Sequence, residues 1–188
     1  MDDPLQGREF WVFGYGSLMW RPDFPFAERC GALLYGSHRS LCVRSHIHRG
    51  TPERPGLVMG LDRGGACHGM AFRIADEHRV PVLANLRARE QVTMVYRELI
   101  KRLHLMDGRI VAGIAYVVDR THKQYVGALS REAQLAAGIG AHGKSGPNPD
   151  YVLNTQSHLE EMGVHDATLT WLARALRAEA QTRSAITA

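Results

Sequence analysis

Between residues 10 and 118 the chain reads as short strand-like runs separated by glycine-containing turns and interrupted once by helical periodicity, and after Ser130 it reads as helices with a polar loop, 142–148, between the first two. That distribution is not a βαβ alternation. It calls for an antiparallel sheet curled on itself with helices beside it. The runs are 10–15, 30–35, 40–45, 57–61, 67–74, 96–105 and 109–118, with Asp62-Arg63-Gly64-Gly65 signalling a hairpin and Asp107-Gly108 a turn. Val80, Leu83, Ala84 and Leu86 form a helical stripe that ends near Glu90, with Pro81 confined to the first turn. Further on, Ser130, Asn148 and Asp166 each stand where a helix cap is needed, and Leu169, Leu172 and Leu176 form the last buried stripe. The expectation is a mixed α+β fold: a mostly antiparallel, barrel-like sheet with flanking helices and a helical C-terminal third. With 188 residues, 45% of them hydrophobic, the chain can bury a sizeable core and is expected to be one domain over 1–188.

Several function classes are disfavoured. The net charge is +4, but the arginines are scattered among acidic residues with no dense basic run, so no nucleic-acid partner is expected. The three cysteines, Cys30, Cys42 and Cys67, are odd in number and lack C-x-x-C spacing, which argues against a disulfide framework and for a reducing, cytoplasmic setting. Met1-Asp2-Asp3 is an acidic start, and the apolar run 10–20 holds two glycines and is too short to span a bilayer, so no membrane partner or targeting segment is expected. His46 and His48, with His38 upstream, could share a strand face, but no third ligand with zinc-site spacing accompanies them; neither metal nor cofactor is expected.

Chemistry is concentrated in Phe13-Gly14-Tyr15-Gly16-Ser17-Leu18-Met19-Trp20, where a strand runs into a glycine-jointed loop. Successive amides of such a loop can converge on one oxygen, with the hydroxyls of Tyr15 and Ser17 alongside. A plain strand-end turn is equally compatible with the pattern. A dinucleotide fingerprint is not, because Met19 stands where its third glycine belongs. Nor is a nucleophile elbow, since Ser17 lacks the glycine two residues on, so Ser17 reads as a binding hydroxyl. Glu90 closes a helix just before a strand, a place where reactive groups are often presented. Arg39, Arg44 and Arg49 are candidates for a ligand carboxylate, and Trp20 and Tyr125 for pocket walls.

Five motifs in order carry a resemblance. The loop continues as Arg21-Pro22-Asp23-Phe24; His48-Arg49-Gly50-Thr51-Pro52 precedes Pro55-Gly56-Leu57-Val58; Arg89-Glu90 precedes Tyr96; and Tyr125-Val126-Gly127 and Ser145-Gly146-x-Asn148-x-x-Tyr151 follow. Over residues 10–160 this set resembles the ChaC-type gamma-glutamylcyclotransferases. The resemblance implies cofactor-independent conversion of a small molecule, glutathione, to 5-oxoproline and cysteinylglycine. It makes Glu90 the catalytic carboxylate, puts the gamma-glutamyl group on Tyr15, Gly16, Ser17, Leu18, Met19 and Trp20, and makes Tyr151 a substrate contact. One departure is Met94-Val95, where many members have a glycine-containing pair. Two alternatives remain at this point: a cyclotransferase for other gamma-glutamyl amino acids or amines, and a non-catalytic module that binds gamma-glutamyl ligands.

Overall fold

A computed structural model describes residues 3–187. The chain forms two compact units, each assembled from two stretches: the first from the residues up to Ser40 with Met59–Tyr125, the second from Leu41–Val58 with the residues from Val126 onward.

The sheet comprises β1 (Phe10–Gly14), β2 (Glu28–Ser45), β3 (Gly56–Ile74), β4 (Tyr96–Leu105) and β5 (Ile110–Val118), closed as a barrel in the order β1-β3-β2-β4-β5 with an additional β3–β5 pairing. In the first unit β1 runs antiparallel to β3, from Phe10↔Ile74 to Gly14↔Met70, and β4 antiparallel to β5, from Tyr96↔Val118 to His104↔Ile110. Closure is parallel, through Trp11↔Gly113 and Val12↔Ile114. All five residues of β1 are buried, which is why that strand is continuously apolar in sequence rather than alternating. Trp11, Phe13, Leu34, Leu61, Phe72, Leu103, Ile114 and Tyr116 fill the core of this unit.

Two expectations about the strands need correction. Residues 30–35 and 40–45 belong to one strand, and 62–65 is no hairpin: β3 runs through it unbroken. Gly36, Gly64 and Gly65 take positive φ of 78°, 99° and 69° inside these strands. Glycine in that conformation forms a bulge as readily as a turn, so the strand bends and continues. The helix is α1 (Arg79–Glu90), but its buried stripe is Val82, Leu83 and Leu86: of the expected set Leu83 and Leu86 are buried, Ala84 is half-buried and Val80 faces solvent.

The second unit is mostly helical: α2 (Arg131–Gly138), α3 (Asn148–Glu161) and α4 (Ala167–Thr187), with a small hairpin of β6 (His142–Gly143) and β7 (Gly146–Pro147) before α3. Helix α4 packs on α2 and α3 through Leu169, Leu172, Ala173 and Leu176. Ser130 Oγ accepts from the Ala133 amide at 3.2 Å, and Asp166 Oδ1 from the Leu169 amide at 3.0 Å, as caps do. Asn148 does not cap; Pro147 holds that position. The Asn148 side chain instead accepts from the Leu57 amide at 3.1 Å and donates to the Leu57 carbonyl at 2.7 Å, imitating a neighbouring strand. Among the described residues no helix is long and apolar enough to cross a membrane.

Candidate active site

At the end of β1 the chain folds straight back into a 3-10 turn, Ser17–Met19. A Cβ on Gly14 would lie 3.0 Å from the Leu18 Cβ and 3.1 Å from the Met19 nitrogen. One on Gly69 of β3 would run into the Gly14 carbonyl oxygen and come within 2.7 Å of the Phe13 ring. These two glycines therefore permit the close return of the loop. The Met19 amide donates to the Gly16 carbonyl at 3.0 Å and the Arg21 amide to the Ser17 carbonyl at 2.8 Å, so the Ser17 and Leu18 amides precede the bonded part of the turn. The Tyr15 hydroxyl donates to the Tyr116 carbonyl at 2.7 Å, and Arg39 Nε donates to the Tyr15 carbonyl at 2.6 Å. Arg39 Nη2 also donates to the His68 carbonyl. Leu18 and Met19 are buried.

Glu90 is the last residue of α1, with 17% of its side chain exposed. Burial pushes its carboxyl above the usual carboxylate range, and the Arg89 charge, Nε 3.3 Å from Oε1, pulls it down less strongly. The negative end of the helix acts in the same direction as burial. Arg89 Nη2 donates to Ser17 Oγ at 3.0 Å, which ties the end of α1 to the loop and leaves the Ser17 O–H to donate. On the other side, Arg87 holds Glu98 of β4 bidentately, with Nε to Oε2 at 2.9 Å and Nη2 to Oε1 at 2.6 Å. The Tyr116 hydroxyl donates to Glu98 Oε2 at 2.9 Å. Burial, then Glu98 and more weakly Glu90, drive the Tyr116 phenol far up, so it stays a neutral donor. Beyond Glu90, Met94 takes φ of 60° with its side chain exposed. It adopts the left-handed geometry that a glycine would take at less cost.

The structure thus brings Tyr15, Gly16, Ser17, Leu18, Met19 and Trp20 together with Glu90 in the first unit. Tyr151 lies in the second, in α3, with the buried Arg49 guanidinium 5.4 Å from its ring centroid. There two sequence motifs meet. The Lys144 amide donates to the Ile47 carbonyl at 2.8 Å, the Ser145 amide to the His48 carbonyl at 2.9 Å, and Arg49 Nη1 to the Pro147 carbonyl at 3.2 Å. His48 Nδ1 is 3.0 Å from Ser145 Oγ. Of the arginines proposed for a ligand carboxylate, Arg39 and Arg49 are committed to carbonyls, and Arg44 is exposed. Tyr125 donates to Asp62 Oδ2 at 2.8 Å. The Trp20 indole N–H is buried with no hydrogen-bond partner among the described residues. Of the two arginines beside Glu90 that the sequence offers as its ion partner, Arg89 makes the pair and Arg87 pairs with Glu98 instead; sequence reasoning missed Glu98 and Tyr116, because isolated strand positions carry no motif.

The ChaC-like protein family model matches residues 10–179. A glutathione-specific gamma-glutamylcyclotransferase of Escherichia coli (strain K12) is 37% identical over 158 residues, covering 83% of this chain and 68% of its own. Human glutathione-specific gamma-glutamylcyclotransferase 1 is 30% identical over 160 residues, covering 83% and 72% respectively. A solved yeast gamma-glutamyl cyclotransferase specific to glutathione shares the fold, with a TM-score of 0.81 at 23% identity over 90% of this chain and 96% of that one. With the matched region running from β1 into α4 and taking in both the loop and Glu90, this chain belongs to the ChaC-like protein family.

Proposed function

We propose that the protein is a gamma-glutamylcyclotransferase that cleaves glutathione to 5-oxoproline and cysteinylglycine, with Glu90 as proton shuttle and the Tyr15–Leu18 backbone as cradle. The observation that carries the role of Glu90 is its carboxyl, held largely out of water at the end of α1 and linked through Arg89 to the loop that begins at Gly14. The choice of glutathione is supported by the names of the bacterial and human relatives.

The alpha-amine of a gamma-glutamyl group is mostly protonated at neutral pH and cannot attack until it loses that proton. Ionised Glu90 takes it. The amine nitrogen then bonds to the gamma-carbonyl carbon, closing a five-membered ring, and the carbonyl oxygen becomes negative. Amides of the Tyr15–Leu18 loop are the proposed donors to that oxyanion, each donor of this kind being worth roughly 10²–10³ in rate. Collapse breaks the bond to the cysteine nitrogen as Glu90 returns the first proton to the departing amine. The ring nitrogen, which still holds two hydrogens, gives one to the freed carboxylate, which passes it to the departing amine, leaving a lactam N–H and an ammonium. Nucleophile and electrophile belong to one molecule, so the protein's task is to hold the reactive conformer, and no serine or cysteine nucleophile is required. Tyr151 is a further proposed substrate contact, supported by the resemblance alone. The odd, unpatterned set of cysteines supports a cytoplasmic setting.

The test is 5-oxoproline release from glutathione. Glu90→Gln is expected to lower kcat by about 10²–10⁴-fold. A variant as fast as wild type removes the reading, and preference for gamma-glutamyl-alanine in competition replaces the substrate.

A further inference from the structure

Arg89 presents one planar guanidinium to five partners. Nε faces Glu90 Oε1 at 3.3 Å, and Nη2 donates to Ser17 Oγ at 3.0 Å. Nη1 donates to the carbonyls of Arg21 at 2.8 Å and Pro22 at 3.2 Å and to Asp23 Oδ2 at 3.1 Å. Asp23 is itself left-handed, at φ of 58°. A residue in that conformation persists where its surroundings over-determine it, and Arg89 with Arg21 supplies that restraint. A fork of five N–H donors serves this set of partners; a lysine ammonium, a compact charge with three donors, cannot serve all five.

We propose that Arg89 is a positioning residue for the cyclotransfer, setting the 17–23 loop in register with Glu90 and supplying that carboxylate's counter-charge. The inference rests on Glu90 being the proton shuttle. The other charged or titratable groups near Glu90 do not substitute for Arg89. Tyr116 on β5 is neutral and bonded to Glu98 on β4, and Glu98 is neutralised by Arg87. Among the described residues, Arg89 makes the ion pair to Glu90.

The experiment compares Arg89→Lys, Arg89→Met and Glu90→Gln with wild type by kcat, KM, the pH profile of kcat/KM and thermal melting. Arg89→Met is expected to move the acid limb to higher pH, because the counter-charge is gone. Arg89→Lys is expected to keep that limb in place while kcat falls roughly tenfold to a hundredfold, the scale of a small misplacement at a reacting centre. A folded Arg89→Met enzyme with the wild-type limb overturns the proposal. Should Arg89→Met not fold, Arg89→Lys with wild-type kcat overturns it. If Glu90→Gln keeps full activity, the shuttle reading fails and takes this inference with it; an inactive Glu90→Gln beside an unchanged Arg89 series sinks the inference alone.

Discussion

At Glu90, burial raises the affinity for a proton and so lowers stability whenever the carboxyl ionises. The folded chain binds this proton more tightly than the unfolded chain, whose glutamate titrates near the ordinary 4.5. The stability that protonation contributes is complete below that pH and is lost as pH rises through the higher folded value. Glutamine never ionises. Glu90→Gln is therefore expected to melt above wild type at neutral pH, with the difference shrinking as pH falls through the raised folded value and gone below 4.5, as followed by thermal melts across pH. A lower melting temperature for the variant at neutral pH would contradict the burial argument. The activity of wild type should fall on the acid side at a pH above the ordinary carboxylate range, for the same reason.

Among the elements, α3 and β3 are joined by a side chain acting as backbone. Removing it in Asn148→Ala orphans the Leu57 N–H and C=O, each at a cost of about 1–3 kcal/mol when buried. Urea unfolding should show the loss, and a change under about 0.5 kcal/mol would make the pairing incidental. This contact was not legible in the sequence, where Asn148 before Pro149 reads as a cap. Local pattern found what local physics decides: β1, α1, β4, β5 and the caps at Ser130 and Asp166. It split β2 and broke β3 at Gly64-Gly65, because a positive-φ glycine does not reveal whether its neighbours keep pairing across the bulge. The motif at Gly14–Trp20 and the helix-terminal Glu90 were visible. Their linkage through Arg89 needed a partner 72 residues away, and the Arg87–Glu98–Tyr116 cluster behind them needed partners 11 and 18 residues apart, all beyond the reach of local pattern.

At the scale of the whole molecule, the chain passes between its two units three times, after Ser40, after Val58 and after Tyr125. No single cut yields either unit intact. A chain stopped after Tyr125 keeps Leu41–Val58 but loses the Val126 amide bonded to Cys42, the Pro147 carbonyl bonded to Arg49 and the Asn148 amide on Leu57. It is expected to be insoluble or to lack fixed tertiary structure; a soluble product with native near-ultraviolet dichroism would refute this. Asn148 also bears on how long the molecule lasts. Asparagine commonly ages when the next backbone nitrogen attacks the side-chain carbonyl and closes a five-membered imide, which reopens as an acid. The next residue here is Pro149, whose nitrogen carries no hydrogen. The ring closure that this protein is proposed to perform on its substrate is denied, by that one imino acid, to the asparagine that pairs α3 with β3.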